Sequence, residues 1–269
     1  MRNMKRFSGL AIAVLMALGA AATPLHAETV LITGANQGIG LALAKGYAAK
    51  GWTVIATHRR DSTPETLAQL QKAFPNVRPE KMDVTDDAQI KALAARMKGE
   101  PIDVLLNNAA LIRFAPLNDQ KGNAGQLFGT LDYEQLDQFV HTNVAGPLKL
   151  AEAFIENVRA SKQKKIMTIS SAAGSVSVLP RAANHYWYYI TKAAVNQAMR
   201  LLTVQFKDEG ITVAMFHPGG VQVESFGDIK LPGAVTPEVA AGKLIATIDS
   251  LTPKDSGRFM ESDGRDRPW

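Results

Sequence analysis

From residue 28 onward the chain alternates between two hydrophobic rhythms. Short β-rich runs occur at 29–33, 53–57, 79–84, 102–108, 165–170, 212–218 and 257–261, most of them dense in Val, Ile, Leu and Thr, and each reads as a strand. Between them lie longer segments with apolar residues three and four apart, such as "GIGLALAKGYAAK", "DAQIKALAARMK" and "YEQLDQFVHTNVAGPLKLAEAFIENVRA". That is the period of a helix with one buried face. Strands apolar at nearly every position belong to a parallel sheet covered on both sides, and right-handed crossovers wind such a sheet doubly. The expected fold is therefore α/β, a single doubly wound Rossmann-type domain with a parallel seven-stranded sheet over residues 28–269. No linker-like shift, repeat or low-complexity block interrupts it.

The first 27 residues break the rhythm. Arg2, Lys5 and Arg6 precede a 13-residue apolar run, "LAIAVLMALGAAA", and small residues follow, with exits after Ala22 or Ala27. A positive start, a short apolar core and a small-residue exit describe a secretory signal. The run is short for a bilayer core of about 30 Å. Export to the periplasm or beyond is the expectation, with no stable membrane insertion once the signal is cleaved. An N-terminal anchor is the alternative. A domain that remained cytoplasmic would mean that the segment is not a working signal.

Composition narrows the function classes. Of 269 residues, 46% are hydrophobic and 20% charged, which is globular. The formal charge is +5, but residues 28–269 hold 27 basic and 25 acidic groups, so no nucleic-acid footprint is expected. There is no cysteine and no zinc-like spacing, so neither a disulfide nor a metal site is expected.

The first candidate chemistry is "TGANQGIG" (33–40), which follows the first strand and opens the first helix. Gly34 permits the tight exit, Gly38 lets the backbone approach a pyrophosphate, and Gly40 lets helix and sheet pack closely. The helix N-terminus offers free N–H groups and partial positive charge to phosphates. Gly34, Asn36, Gln37, Gly38, Ile39 and Gly40 are thus candidate cofactor contacts. At the end of the second strand, an acid would bind a free ribose 2′-hydroxyl, whereas arginine accommodates a 2′-phosphate. The chain has "THRRD" there, so NADP(H) is favoured over NAD(H), with Arg59 the first candidate and Arg60 the second. Asp61 lies too far along to serve the ribose.

The second is "HYWYYITKAA" (185–194), three tyrosines before one lysine. Residues four apart share a helix face, which pairs Tyr188 with Lys192. Tyr189, three residues before the lysine, is a weaker partner, and spacing alone does not assign chemistry to either.

Taken in order, these motifs resemble the short-chain dehydrogenase/reductase family. The chain has T-G-x-x-x-G-x-G at 33–40, "NNAA" (107–110) after the fourth strand, "TNVAGPL" with Asn143, "ISSAAGS" after the fifth strand, "YYITK" as Y-x-x-x-K from Tyr188, and "HPGGVQVE" after the sixth. They cover essentially all of residues 28–269. "VIATHRRD", "TPEVAAGKLIATI" and "SGRFMESDGRDRPW" point further, to the branch of sniffer and C-factor-like carbonyl reductases.

The resemblance implies a catalytic set of Asn143, Ser171, Tyr188 and Lys192. Tyrosine is then the general acid, lysine favours its phenolate and holds the nicotinamide ribose, serine orients the substrate oxygen, and asparagine supports a water leading to the lysine. It places Ser171 rather than Ser170 in the site, with Ser170 on the opposite face of its strand. It implies further cofactor contacts at Asp83, Val84, Asn107, Ala109, Pro218, Gly219 and Val221. It leaves Trp187 and Tyr189 to pack or line the entrance, and Tyr186 and His185 as candidate substrate contacts. Val223 stands where the family often has threonine. The 17-position interval from Ser171 to Tyr188 is longer than the family's usual one, so that loop and the segment 224–235 are expected to shape specificity.

The activity implied is hydride transfer between NADP(H) and a small carbonyl or alcohol substrate. The alternatives are an epimerase or dehydratase of the same fold, and a dinucleotide-binding sensor or signalling protein without turnover. The family commonly pairs subunits through the helices expected at 132–160 and 185–206, which allows a homo-dimer or tetramer, while the family's monomeric members leave the oligomeric state open.

Overall fold

The computed structural model describes residues 27–113, 125–180, 183–224 and 230–269. The export signal read from residues 1–27 therefore lies outside the described residues, apart from Ala27. Seven parallel strands form one sheet in the order β3-β2-β1-β4-β5-β6-β7. They are β1 (Thr29–Ile32), β2 (Thr53–His58), β3 (Val77–Lys81), β4 (Val104–Asn107), β5 (Lys165–Ile169), β6 (Thr212–His217) and β7 (Phe259–Glu261). Every residue of β1, β4 and β5 is buried, as central parallel strands require.

Helices α1 (Gly38–Ala49), α2 (Glu65–Ala73) and α7 (Pro237–Ser250) cover one face. Helices α3 (Asp87–Arg96), α5 (Gly146–Arg159) and α6 (Tyr186–Gln205) cover the other. Each face has its own apolar core, one around Tyr47, Leu43 and Leu244, the other around Phe154, Met199 and Leu105. Among the described residues no helix is long and apolar enough to cross a membrane.

Two elements depart from the sequence reading. The third strand lies at Val77–Lys81 instead of 79–84. Beyond it the Asp83 carboxylate accepts the Thr85 N–H at 2.9 Å, and this side-chain turn ends the strand. The helix expected over 132–160 is broken: α4 (Tyr133–Val140) passes into a π-turn at His141–Ala145 before α5 begins. Pro147 supplies the cause. It has no N–H for the carbonyl four residues back, that of Asn143, and its ring crowds that carbonyl.

The lower ends of the central strands are tied by one buried carboxylate. Asp103 accepts the Thr29 N–H at 3.0 Å and the Lys162 and Gln163 N–H groups at 3.2 Å each. Removing it strands three donors at the starts of β1 and β5. Asp103→Ala should therefore cost about 3 kcal/mol, read as a lower urea midpoint with an unchanged slope; an unchanged midpoint would refute the tie.

Candidate active site

The strand order reverses between β1 and β4, and the crossovers leave there on opposite faces. A crevice is expected at the carboxyl ends of strands at such a point. A cleft of about 440 Å³ opens there, lined by the segments that follow β1 through β6.

Its floor depends on one tight junction. The Thr33 hydroxyl accepts the Asn108 and Ala109 N–H groups at 3.0 Å each. In return the Asn108 amide donates to the Thr33 and Gly34 carbonyls at 2.9 and 3.2 Å. A Cβ at Gly40 would lie 2.3 Å from the Gly34 oxygen, so only glycine lets α1 start this close to β1. Gly34 and Gly38 have φ of 65° and 52°, the left-handed region that glycine occupies without strain. No side chain caps α1, and its first N–H groups are left available at the cleft.

Of the candidate cofactor contacts, Gly34, Asn36, Gln37, Gly38, Ile39, Arg59, Asp83, Val84, Ala109, Tyr188, Lys192, Pro218, Gly219 and Val221 line this cleft. Three do not. Gly40 sits behind the turn as packing. Arg60 borders a separate shallow depression with Asn36, Gln37 and Glu65. Asn107 is buried inside β4 and donates to the Thr168 hydroxyl at 3.3 Å, because successive strand residues face opposite ways; Asn108 is the one that reaches the cleft. Arg59 is exposed, and among the described residues it forms no ion pair. Asp61 is held instead by Lys81, at 2.8 Å, which keeps the carboxylate occupied beside β3.

At the other end, Ser171, Tyr188 and Lys192 meet. Tyr188 hydrogen-bonds the Ser171 side chain, yet burial pushes its pKa up to about 12. The Lys192 ammonium lies 5.6 Å from the centre of the Tyr188 ring and donates to the Ile169 carbonyl at 2.8 Å. Burial pulls its pKa from 10.5 down to about 8. Ser170 also borders the cleft, but its hydroxyl is sealed and, among the described residues, unpartnered.

Asn143 is not in the cleft wall. Its oxygen accepts the Leu111 N–H at 2.7 Å, and its amide donates to the Leu111 carbonyl and the Thr191 hydroxyl at 3.0 and 3.1 Å. Both side-chain N–H bonds are thus spent on protein. The residue clamps the segment after β4 to α6, one position from Lys192.

From the run 185–189 only Tyr188 lines the cleft. His185 and Tyr186, read as substrate contacts, do not. His185 is buried at the start of α6 with φ 55°, and Trp187 packs on Tyr133 at 5.4 Å. Val223 packs toward Gly38, 3.2 Å from where a Cβ there would sit. Leu231 lines the cleft, while residues 225–229 of the expected specificity segment lie outside the described residues.

The cleft has one further polar contributor. His217, the last residue of β6, borders the cleft, and its Nδ1 faces the Ala172 N–H at 3.1 Å. Burial holds its pKa down to about 4, so the ring is neutral near pH 7. Nδ1 then accepts, with the proton on Nε2. The visible signal was "HPGG", in which attention falls on the proline and glycines.

A doubly wound parallel sheet with a glycine turn at its switch point is a dinucleotide-binding architecture. The family profile described as short chain dehydrogenase matches residues 28–231. The chain belongs to that oxidoreductase family.

Its relatives include 1-hydroxy-2-glutathionyl-2-methyl-3-butene dehydrogenase of a Rhodococcus species, 32% identical over 90% of this chain and 100% of that protein. The crystal structure of NADPH-bound carbonyl reductase from chicken fatty liver is similar, with TM-score 0.79 and 30% identity, covering 91% of this chain and 100% of that one. The carbonyl reductase Sniffer of D. melanogaster shares the fold, at TM-score 0.78 and 24% identity, covering 91% and 100% of the respective chains.

The buried ammonium has a thermodynamic signature. Its displacement from 10.5 to about 8 corresponds to a burial cost of about 3 kcal/mol. A lowered folded pKa means that the unfolded chain binds more protons between pH 8 and 10.5, so stability rises across that window. Lys192→Met should raise stability at pH 7 by about 2 kcal/mol, allowing for the lost bond to Ile169. The gain should shrink as pH rises toward 10. Urea unfolding at pH 7 and pH 10 measures both; equal stability of the two proteins at pH 7 would contradict the cost.

Proposed function

We propose that this protein is an NADP(H)-dependent carbonyl reductase acting on a small aldehyde or ketone. The observation that carries the reading is the convergence of Tyr188, Ser171 and Lys192 at one end of a cleft whose other end is the glycine turn and Arg59. The chain's own residues fit a phosphorylated dinucleotide. A Cβ at Gly34 would come within 3.1 Å of Ala109, and one at Gly38 within 3.2 Å of Val223, so the backbone there is bare for a reason of space. The α1 N-terminus would face the pyrophosphate, and Arg59, unpaired among the described residues, would take a 2′-phosphate. NADPH in the chicken-liver neighbour supports the same cofactor.

When bound, the reduced nicotinamide supplies hydride to the carbonyl carbon. Tyr188 supplies the proton from Oη to the carbonyl oxygen. With its pKa near 12 before any ligand enters, the phenol is fully protonated at pH 7, which suits an acid but not a base. The Lys192 charge and the Ser171 hydroxyl stabilise the phenolate left behind. Ser171 also holds the substrate oxygen in line. Leu111, Ile112 and Val221 keep this end of the cleft apolar, which strengthens each of these interactions.

Tyr188→Phe should lower carbonyl-dependent NADPH oxidation at least about a hundredfold while leaving NADPH affinity unchanged. Arg59→Ala should weaken NADPH but not NADH, by roughly tenfold, the loss of one charge-assisted phosphate contact. Both are read by assay and by fluorescence titration. Tight NADPH binding without turnover on any carbonyl would instead favour a dinucleotide-binding sensor.

We also propose that residues 1–27 direct export and are removed. The mass of the protein recovered from its host should correspond to a start at Thr23 or Glu28; an intact Met1 would overturn this.

A further inference from the structure

Past β7 the chain turns back on itself. The Glu261 N–H donates to the Arg265 carbonyl at 2.8 Å and the Arg267 N–H to the Phe259 carbonyl at 2.8 Å, with Met260 opposite Asp266. This short antiparallel return carries residues 267–269 up beside the segment that follows Ser171. There the Ser175 hydroxyl donates to the Pro268 carbonyl at 2.6 Å, and the Ser177 N–H donates to the Trp269 carbonyl at 2.5 Å.

The return is itself anchored. Trp269 packs on Phe259 with ring centroids 5.5 Å apart, the Arg200 guanidinium lies 4.7 Å above its ring, and Arg267 pairs with Glu261. An isolated pair of exposed backbone bonds would fray, but these are backed by the edge of an apolar core.

The segment so held has two further side-chain attachments, one of them from the cleft residue His217. His217 accepts from Ala172, and the Asn196 amide donates to the Gly174 carbonyl at 3.2 Å. Both fix its beginning. Among the described residues, the 268–269 contacts are the ones that tie Ser175 and Ser177 to a distant part of the chain, and Val176 and Leu179 of the same loop are 78% and 90% exposed. Neither side chain lines the cleft itself, but both stand bare on the loop that leaves Ser171, and exposed aliphatic surface beside a site is where an apolar group can dock.

We propose that the returning segment 266–269 is a strap that fixes the loop 172–180 and thereby sets which carbonyls the site accepts. Pro268 and Trp269 are positioning residues; Val176 and Leu179 meet the apolar tail of the substrate. The inference rests on the reductase reading for its chemistry but not for its mechanics, and the two can be tested apart.

The test uses the full chain with NADPH and compares Ser175→Ala, Trp269→Ala and the conservative Trp269→Phe. Hydrogen exchange over 172–180 reports the strap, and KM for propanal against decanal reports selectivity. Ser175→Ala and Trp269→Ala should speed exchange in that segment roughly tenfold, the scale of one lost bond or packed ring. They should raise KM for decanal relative to propanal by a similar factor, while NADPH affinity and the propanal kcat stay unchanged. Trp269→Phe should restore both readouts. Unchanged exchange in both alanine variants overturns the strap. Faster exchange with an unchanged KM ratio overturns its role in selectivity. Wild-type protein that binds NADPH and reduces neither aldehyde overturns the reductase reading, and the exchange data then still decide the strap.

Discussion

The site depends on how closely two strand ends can approach. At the junction of β1 and β4 the Thr33 hydroxyl and the Asn108 amide exchange hydrogen bonds across the reversal of strand order. Gly40 lies against the Gly34 carbonyl with no room for a methyl group. Loosening that contact by the width of one carbon would move the start of α1 away from the sheet. The bare turn, the free helix N-terminus and the crevice all follow from it, because each exists only where these backbones touch. Parallel topology opens a crevice at a switch point; the junction gives it a floor.

Around this floor the fold accepts local instability. A buried ammonium, a buried phenol and a half-buried imidazole meet at the far end of the cleft, and desolvation displaces the pKa of each toward its neutral form. A purely structural core would place hydrocarbon there. Such displacements cluster where proton transfer has to be tuned, and the apolar residues around Tyr188, Phe139, Ala173 and Trp187, hold the arrangement in place. The π-turn at Asn143 is part of the same device. Pro147 breaks the helix where the asparagine must turn inward to grip Leu111 and Thr191.

Much of this was legible in the chain. Strands that are apolar at nearly every position, helices of period 3.6 and a glycine turn after the first strand carry their own physical reasons, and the sheet runs as they require. Tyr188, Lys192 and Ser171 line one cleft. The failures share one cause: local pattern does not report which neighbour a side chain will meet. Asn107 and Asn108 are chemically identical in sequence, and only strand direction makes the second the cleft residue. Arg59 and Arg60 separate in the same way. His185 and Tyr186 pack at a helix start where His185 is left-handed, a conformation uncommon enough outside glycine that the local pattern does not announce it.

Residue order by itself determined the alternation of strands and helices, the place of the glycine turn and the helical spacing of tyrosine and lysine, because each is set by neighbours within a few residues. Tertiary structure alone decided that Asn143 clamps a loop, that His217 holds the turn after Ser171, and that Trp269 reaches back to Ser177. Those contacts join residues 32, 45 and 92 positions apart. No short-range preference encodes them; they exist because the sheet orders its strands out of sequence and the core fixes the distances between them.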